Sequence, residues 1–244
     1  MLTPHRALEY YFAIVIVVGG LCTLVGIKYT LRRWRSFPET RWLGRSFGTG
    51  LLALVLASFI EAPFLFMPVK TLLAFGAGTA EEFMKLLPLK LFRDAEEWEK
   101  WKLVVGTAFF LGLLEAIGYI AGIIALKQPL YLMGVRFVLI GMHTVWAVIT
   151  VGFLLTGSGL SRFKGLAFSI LAHALYDVPP LALADGASGE TILGLSALST
   201  LFILLTPIMA KKSTEKAALL VPKQEDKPGE ETEEDETEGL IFSP

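Results

Sequence analysis

Long apolar runs divide this chain into segments that are each long enough to cross a bilayer. A membrane-crossing helix needs about 20 predominantly apolar residues, and the hydropathy pattern predicts seven such spans. They are Glu9–Tyr29, Phe47–Met67, Val69–Phe92, Leu103–Leu126, Leu130–Thr156, Phe163–Ala184 and Thr191–Ala210. The sequence therefore predicts an all-α fold, a polytopic membrane bundle of about seven transmembrane helices.

Composition supports lipid as the solvent of most of the chain. Of 244 residues, 54% are hydrophobic and 18% are charged, whereas a soluble domain is about 45–50% apolar and about 25% charged. The acidic residues are concentrated at the C-terminal end, where residues 211–244 hold ten acids and five lysines. We predict a seven-helix membrane domain over residues 1–210 and a disordered acidic tail over residues 211–244.

The lysines and arginines fall on alternate loops, which predicts an orientation. The loops after spans one, three and five, together with the start of the tail, hold most of them, among them Arg32, Arg33, Arg35, Arg93, Lys102, Arg162, Lys211 and Lys212. The other side holds only Arg6, Lys70 and Lys127. Because positive loops stay on the cytoplasmic side, we predict a multi-pass protein of the cell membrane with its N-terminus outside and its C-terminus cytoplasmic.

Ionisable side chains interrupt four neighbouring spans, and most of them lie at one depth. A charged residue inside a span costs about 2.5–3.5 kcal/mol even on lenient scales, so each needs a reason. Near the midpoints of their spans lie Glu81, Glu115, His143 and His173. Structural polar residues would scatter in depth, so we predict that these side chains converge on one functional site within the membrane.

The spacing of the polar residues adds further groups to this site. His173 and Asp177 are four residues apart and share one helix face, as do Glu81 and Lys85. Carboxylates and imidazoles around an open position are what Zn²⁺ uses to bind and acidify a water. A remaining glutamate can then accept the proton of that water. These groups are sufficient for metal-assisted hydrolysis of a peptide bond inside the membrane.

Four short motifs resemble those of the PrsW-type intramembrane metalloproteases. The string Glu81-Glu-Phe-Met-Lys85 is similar to their Glu-Glu-x-x-Lys motif, and Leu111 to Tyr119, which includes Glu115, resembles a Phe-x-x-x-Glu motif usually followed by Asn and Tyr. Leu111 stands where phenylalanine is usual and Ala116 where asparagine is usual. The helix with Arg136 and His143 resembles the third motif, and the string His173-Ala-Leu-Tyr-Asp177 resembles the last, His-x-x-x-Asp or Asn.

This resemblance implies an intramembrane metal-dependent endopeptidase, distantly related to the CAAX-processing prenyl endopeptidases. Its expected substrate is a transmembrane or lipid-anchored protein; membrane lipid is the expected surroundings, and no nucleic-acid partner is expected. Either Glu81 or Glu82, beside Lys85, would act on the water as general base. The zinc ligands would come from His143, His173 and one of two carboxylates, Glu115 or Asp177.

Two other functions use the same residues. A non-catalytic scaffold resembling the seven-span scaffold subunit of gamma-secretase is the first, although a scaffold has no need to bury the Glu81–Glu82 pair. A proton or metal-ion transporter would use the polar residues as a relay. Transporters often contain internal repeats, and no convincing repeat is present in this sequence.

Overall fold

The structure is a computed structural model that describes residues 2–221, which form helices and turns without a strand. Six helical segments in this range are long and apolar enough to cross a membrane: Pro4–Ser36, Trp42–Phe66, Glu97–Ala125, Tyr131–Thr156, Gly159–Ala184 and Gly189–Leu220. The predicted all-α polytopic bundle is confirmed. The predicted acidic tail falls mainly on residues 222–244, which lie outside the described residues.

Nine α-helices make up the described bundle. Their bounds are α1 Pro4–Ile14, α2 Gly20–Ser36, α3 Trp42–Glu61, α4 Thr71–Met84, α5 Leu87–Leu91, α6 Glu97–Ala125, α7 Tyr131–Thr156, α8 Lys164–Ala184 and α9 Gly189–Lys216. A π-helical turn, Val15–Gly19, joins α1 and α2 into one continuous helix, and 3-10 turns follow α3, precede α8 and follow α9. The last helix therefore continues beyond the predicted end of its span at Ala210.

The segment predicted as the third span, Val69–Phe92, is not one continuous helix. It consists of α4, whose 14 residues extend about 21 Å at 1.5 Å per residue, and the short α5. The break has a local cause in Pro88, which has no N–H for the carbonyl of Met84. In a continuous helix its ring would also clash with that carbonyl. Met84 is accordingly the last residue of α4.

The two ends of the bundle can be identified from contacts between helix termini. At one end, Leu2 packs against Gly189 at the start of α9, and Asp185 after α8 contacts the start of α4. At the other end, Arg33 in the last turn of α2 donates to the backbone carbonyl of Thr214 near the end of α9, at 2.9 Å. The chain therefore traverses the bundle seven times, with α4 and α5 forming the short crossing.

Helix α7 occupies the centre of the bundle. Every residue from Met142 to Phe153 is buried, and α7 packs against α6, α8, α9 and α2. A helix that is apolar on all sides has to be surrounded by other helices, which explains why the apolar run around Trp146 belongs to the core. His143, a polar member of this run, is held in that core.

Helix α8 contains two prolines, and a side chain from the first helix compensates for one of them. Pro180 has no N–H to give to the carbonyl of Tyr176, four residues earlier. The hydroxyl of Tyr11 donates to this carbonyl at 2.7 Å. The orphaned acceptor is thus satisfied, and α1 is fixed against the helix that carries His173 and Asp177.

Candidate active site

Four helices bring the predicted mid-membrane residues together. Glu81 lies on α4, Glu115 on α6, His143 on α7 and His173 on α8, and the two imidazole rings are 5.0 Å apart. Gly112 allows α6 to lie close to His143, because a Cβ at this position would be only 2.9 Å from Cδ2 of the imidazole. The coincidence in depth seen along the sequence therefore corresponds to one cluster in space.

The centre of the cluster is formed by Glu81, His143 and His173. Oε2 of Glu81 lies 3.6 Å from Nδ1 of His143 and 3.9 Å from Nε2 of His173. One nitrogen or oxygen from each of the three side chains lies within 4.8 Å of the others, and all three residues are buried. Each imidazole thus presents one nitrogen to the same carboxylate oxygen.

The outer nitrogen of His173 contacts a second carboxylate. Nδ1 of His173 is 3.2 Å from Oε1 of Glu82, and Nζ of Lys85 donates to the same oxygen. Glu82 and Lys85 are almost completely shielded from solvent. Lys85 is therefore the partner of Glu82, at three residues' separation, and Glu81 is left to face the imidazoles.

The outer nitrogen of His143 has an equivalent neighbour on α6. Its Nε2 lies 3.1 Å from Oε2 of Glu115, whose other oxygen is 3.6 Å from the guanidinium of Arg136. Arg136 lies over the ring of Tyr119, 3.5 Å from its centre. Glu115 thus lies on the side of His143 that faces away from Glu81.

A cavity of about 480 Å³ opens onto this cluster. Its polar lining comes from five helices and includes Glu61, Glu81, Glu115, Tyr119, Arg136 and Asp177. Asp177 is partly exposed to this space, and its Oδ2 lies 3.5 Å from Nε2 of His173, the nitrogen that also faces Glu81. Of the two carboxylates considered as the third ligand, Asp177 is on the inner side of its imidazole and Glu115 on the outer side.

Trp146 is a neighbour of the cluster that the sequence pattern does not reveal. Its ring stacks on His173 with a centroid distance of 5.2 Å and an interplanar angle of 26°, and Nζ of Lys85 lies 5.8 Å from its centre. A tryptophan three residues after His143 cannot be distinguished in the sequence from a packing residue. Only the contact with His173 identifies it as a wall of the site.

The two helices that carry Glu82 and His173 are also joined outside the membrane-spanning segments. Asp185, in the turn after α8, accepts hydrogen bonds from the backbone N–H groups of Thr71 at 2.8 Å and Lys70 at 2.6 Å. These hydrogen bonds lower the pKa of the Asp185 carboxyl below its usual value. The carboxylate thereby caps the start of α4 and links it to the end of α8.

The polar atoms at the centre fit a divalent metal ion. Within residues 2–221, Oε2 of Glu81 and Nδ1 of His143, the two atoms that face each other, are buried without a hydrogen-bond partner, although such atoms are normally satisfied. Two imidazoles and a carboxylate are also a ligand set found at catalytic zinc sites. The second nitrogen of each imidazole faces a carboxylate, the arrangement that orients metal-binding histidines.

The fold and the site define a polytopic membrane protein with a buried carboxylate and imidazole centre. A sequence profile described as PrsW family intramembrane metalloprotease matches residues 38–210. This match covers most of the chain, and the protein belongs to the PrsW family of intramembrane metalloproteases. It is therefore a membrane-embedded peptidase with a protein substrate, and the family implies a divalent metal. No curated protein and no solved structure matches the chain significantly.

Proposed function

We propose that this protein is an intramembrane endopeptidase that cleaves a transmembrane or lipid-anchored protein at the cluster around Glu81. The observation that supports this most is the position of the Glu81 carboxylate, which faces both imidazoles and lines the cavity. A hydrolase needs a base beside the water it uses and space for the peptide bond. A scaffold needs neither of these features.

Glu81 is the proposed base, and Glu82 has a positioning role. The Glu82 carboxylate is buried, accepts from Lys85 and contacts His173 through one oxygen, and it does not line the cavity, whereas Glu81 does. Glu81 has an oxygen without a hydrogen-bond partner on the side of the imidazoles. The Glu81 carboxylate can accept a proton from a water beside the imidazoles and return it to the leaving amine.

His143, His173 and Glu81 would hold the metal, for which we propose zinc. The ion, when bound, would acidify a water and polarise the scissile carbonyl. A carboxylate has two oxygens, so Glu81 can serve as a ligand with one and exchange a proton with the other. Glu82 and Glu115 would orient His173 and His143 from their outer nitrogens, while Asp177 contacts the inner nitrogen of His173 at the cavity wall.

The test combines cleavage of a reconstituted single-span substrate with metal analysis of the same preparations. We expect Glu81→Gln to abolish cleavage and to lower the bound metal, because glutamine keeps the volume but loses the charge. His143→Ala should lose both properties as well. Glu190→Gln, which removes one carboxylate from the exposed first turn of α9, serves as the matched control and should behave like the unmodified protein. Full cleavage by Glu81→Gln would refute the proposal.

We also propose that the end of the bundle with Arg33 and Lys211 faces the cytoplasm, which places the N-terminus outside. The support is the concentration of arginine and lysine in the loops at that end. Cysteines introduced at Pro38 and Ala187, with the natural Cys22 replaced by alanine, lie at opposite ends of the bundle. A membrane-impermeant thiol reagent applied to intact cells should label only position 187. Labelling of position 38 alone would show that the protein has the opposite orientation in the membrane.

A further inference from the structure

A small polar cavity lies between the last turns of α2 and α9, far from the carboxylate and imidazole cluster. It has a volume of about 260 Å³ and is lined by Tyr29, Arg32, Arg33, Lys211, Thr214 and Glu215. We call it the basic pocket. Nε of Arg33 donates to the carbonyl of Thr214 at 2.9 Å, so this guanidinium is fixed between the two helices and gives the pocket a rigid base.

Positive charge predominates in the basic pocket. Three cationic side chains face one carboxylate, that of Glu215, which is 3.9 Å from Nζ of Lys211 with both side chains mostly exposed. An ion pair between two exposed side chains has a small interaction energy. Within residues 2–221, neither Arg32 nor Arg33 forms an ion pair. The described part of the chain therefore leaves the pocket with unneutralised positive charge, which an anion would satisfy.

The helix faces that lead to the basic pocket are apolar and exposed. On α2, Val25, Tyr29 and Arg32 are spaced four and three residues apart and so share one face. On α9, Ile208 and Lys211 have the same relation. Val25 is 42% exposed and Ile208 is 53% exposed. Each helix thus presents an apolar surface at membrane depth and a cation one to two turns further toward its end, which matches the profile of a phospholipid molecule.

We propose that the basic pocket binds the phosphate headgroup of an anionic phospholipid, with its acyl chains along the faces of Val25 and Ile208. Arg32 and Lys211 would contact the phosphate oxygens through charge-assisted hydrogen bonds, and the hydroxyl of Tyr29 would add a neutral donor. Basic pockets between membrane helices at the aqueous boundary are suited to such headgroups. The bound lipid would join α2 to α9, and the site does not depend on the peptidase function.

The test uses the full chain in a neutral detergent and measures its thermal unfolding as lipid is added. Phosphatidylglycerol should raise the unfolding temperature in a saturable way, and phosphatidylcholine should not. Arg32→Gln combined with Lys211→Gln should weaken the apparent affinity by about 10-fold or more, because two contacts between a cation and a phosphate are lost. Arg35→Gln combined with Lys212→Gln is the matched control: it removes the same charge from exposed neighbours outside the lining and should keep the affinity.

The outcomes distinguish a lipid site from general electrostatic attraction and from a site for free phosphate. Equal loss of affinity in both double variants would reduce the effect to general attraction and overturn the proposal. An unmodified protein that phosphatidylglycerol does not stabilise would also overturn it. A shift of equal size with inorganic phosphate, lost only in the Arg32 and Lys211 double variant, would keep the phosphate site but overturn the role of the acyl chains. Because Arg32 and Lys211 are exposed, the variants should elute like the unmodified protein.

Discussion

The two halves of the active site are built on the same plan but differ in their access to solvent. In each half a cation pairs with a glutamate, and the glutamate contacts the outer nitrogen of one histidine. In the first half, Glu82 lies on α4, Lys85 directly follows that helix, and His173 lies on α8. In the second half, Glu115 lies on α6, and Arg136 and His143 lie on α7. The first glutamate is fully buried, whereas the second is 16% exposed in the cavity wall. Glu81 lies between the two halves.

This difference indicates a division of labour between the halves. A buried ion pair has little freedom to move, and its charges depend on each other because no water can replace a missing partner. The half with Glu82 therefore acts as a fixed support that holds His173 in one orientation. The half with Glu115 borders the cavity through which substrate and water reach Glu81, so its charges are partly solvated and contribute less to the stability of the fold.

The largest expected effect comes from removing the cation from the half with Glu82. Lys85→Met would leave the buried Glu82 carboxylate without its cation, which typically costs about 3–5 kcal/mol. We expect a correspondingly large loss in the free energy of unfolding, measured by denaturant titration in detergent. Adding Glu82→Gln to the same chain removes the orphaned charge and should recover most of the loss. If Lys85→Met alone were as stable as the unmodified protein, the half with Glu82 would not be a fixed support.

Replacing the cation of the half with Glu115 by methionine should affect function more than stability. Arg136→Met removes an ion pair that is less buried than that of Lys85 and Glu82, so the free energy of unfolding should fall by less than in Lys85→Met. Metal affinity should fall by about 10–100-fold, because Glu115 loses the group that orients it toward His143. Titration with zinc in a competing chelator measures this directly. A loss of stability as large as that of Lys85→Met would show that the two halves do not differ.

The sequence predicted the members of both halves, but not how they are paired. Charges in apolar spans are conspicuous, and their common depth indicated one cluster around Glu81 and His143. The spacing placed Lys85 within reach of both Glu81 and Glu82, and in the structure Lys85 pairs with Glu82. Residues three and four apart on a helix are both within reach, so spacing could not decide between the two glutamates. The packing of α4 against α8, which brings His173 to Glu82, determines the choice.

The fold was predictable where helix length is a matter of hydropathy and less so where local geometry intervenes. Within residues 2–221, six segments are long and apolar enough to be spans, and the corresponding predictions differ from them mainly at their ends. The third predicted span was too long because the hydropathy of Val69–Phe92 does not register the effect of Pro88 on the carbonyl of Met84. Trp146 illustrates the remaining difficulty, since its stacking on His173 depends on how α7 and α8 cross.

The smallest expected effect concerns Asp185, which joins the end of α8 to the start of α4 outside the membrane-spanning segments. The ionised Asp185 carboxyl is favoured in the folded protein, because backbone N–H groups of Thr71 and Lys70 donate to it and lower its pKa. Its contribution to stability is therefore complete above the unfolded pKa, about 3.9 for aspartate, and is lost as the pH falls through the lower pKa of the folded protein. Asp185→Asn should lower the unfolding temperature slightly at pH 7, and the difference from the unmodified protein should shrink below about pH 4.

Asp94→Asn, at an exposed aspartate before α6, provides the charge-matched control and should leave the unfolding temperature unchanged. A difference for Asp185→Asn that stays constant down to about pH 3, below the unfolded pKa, would mean that the carboxylate charge does not hold α4 to α8.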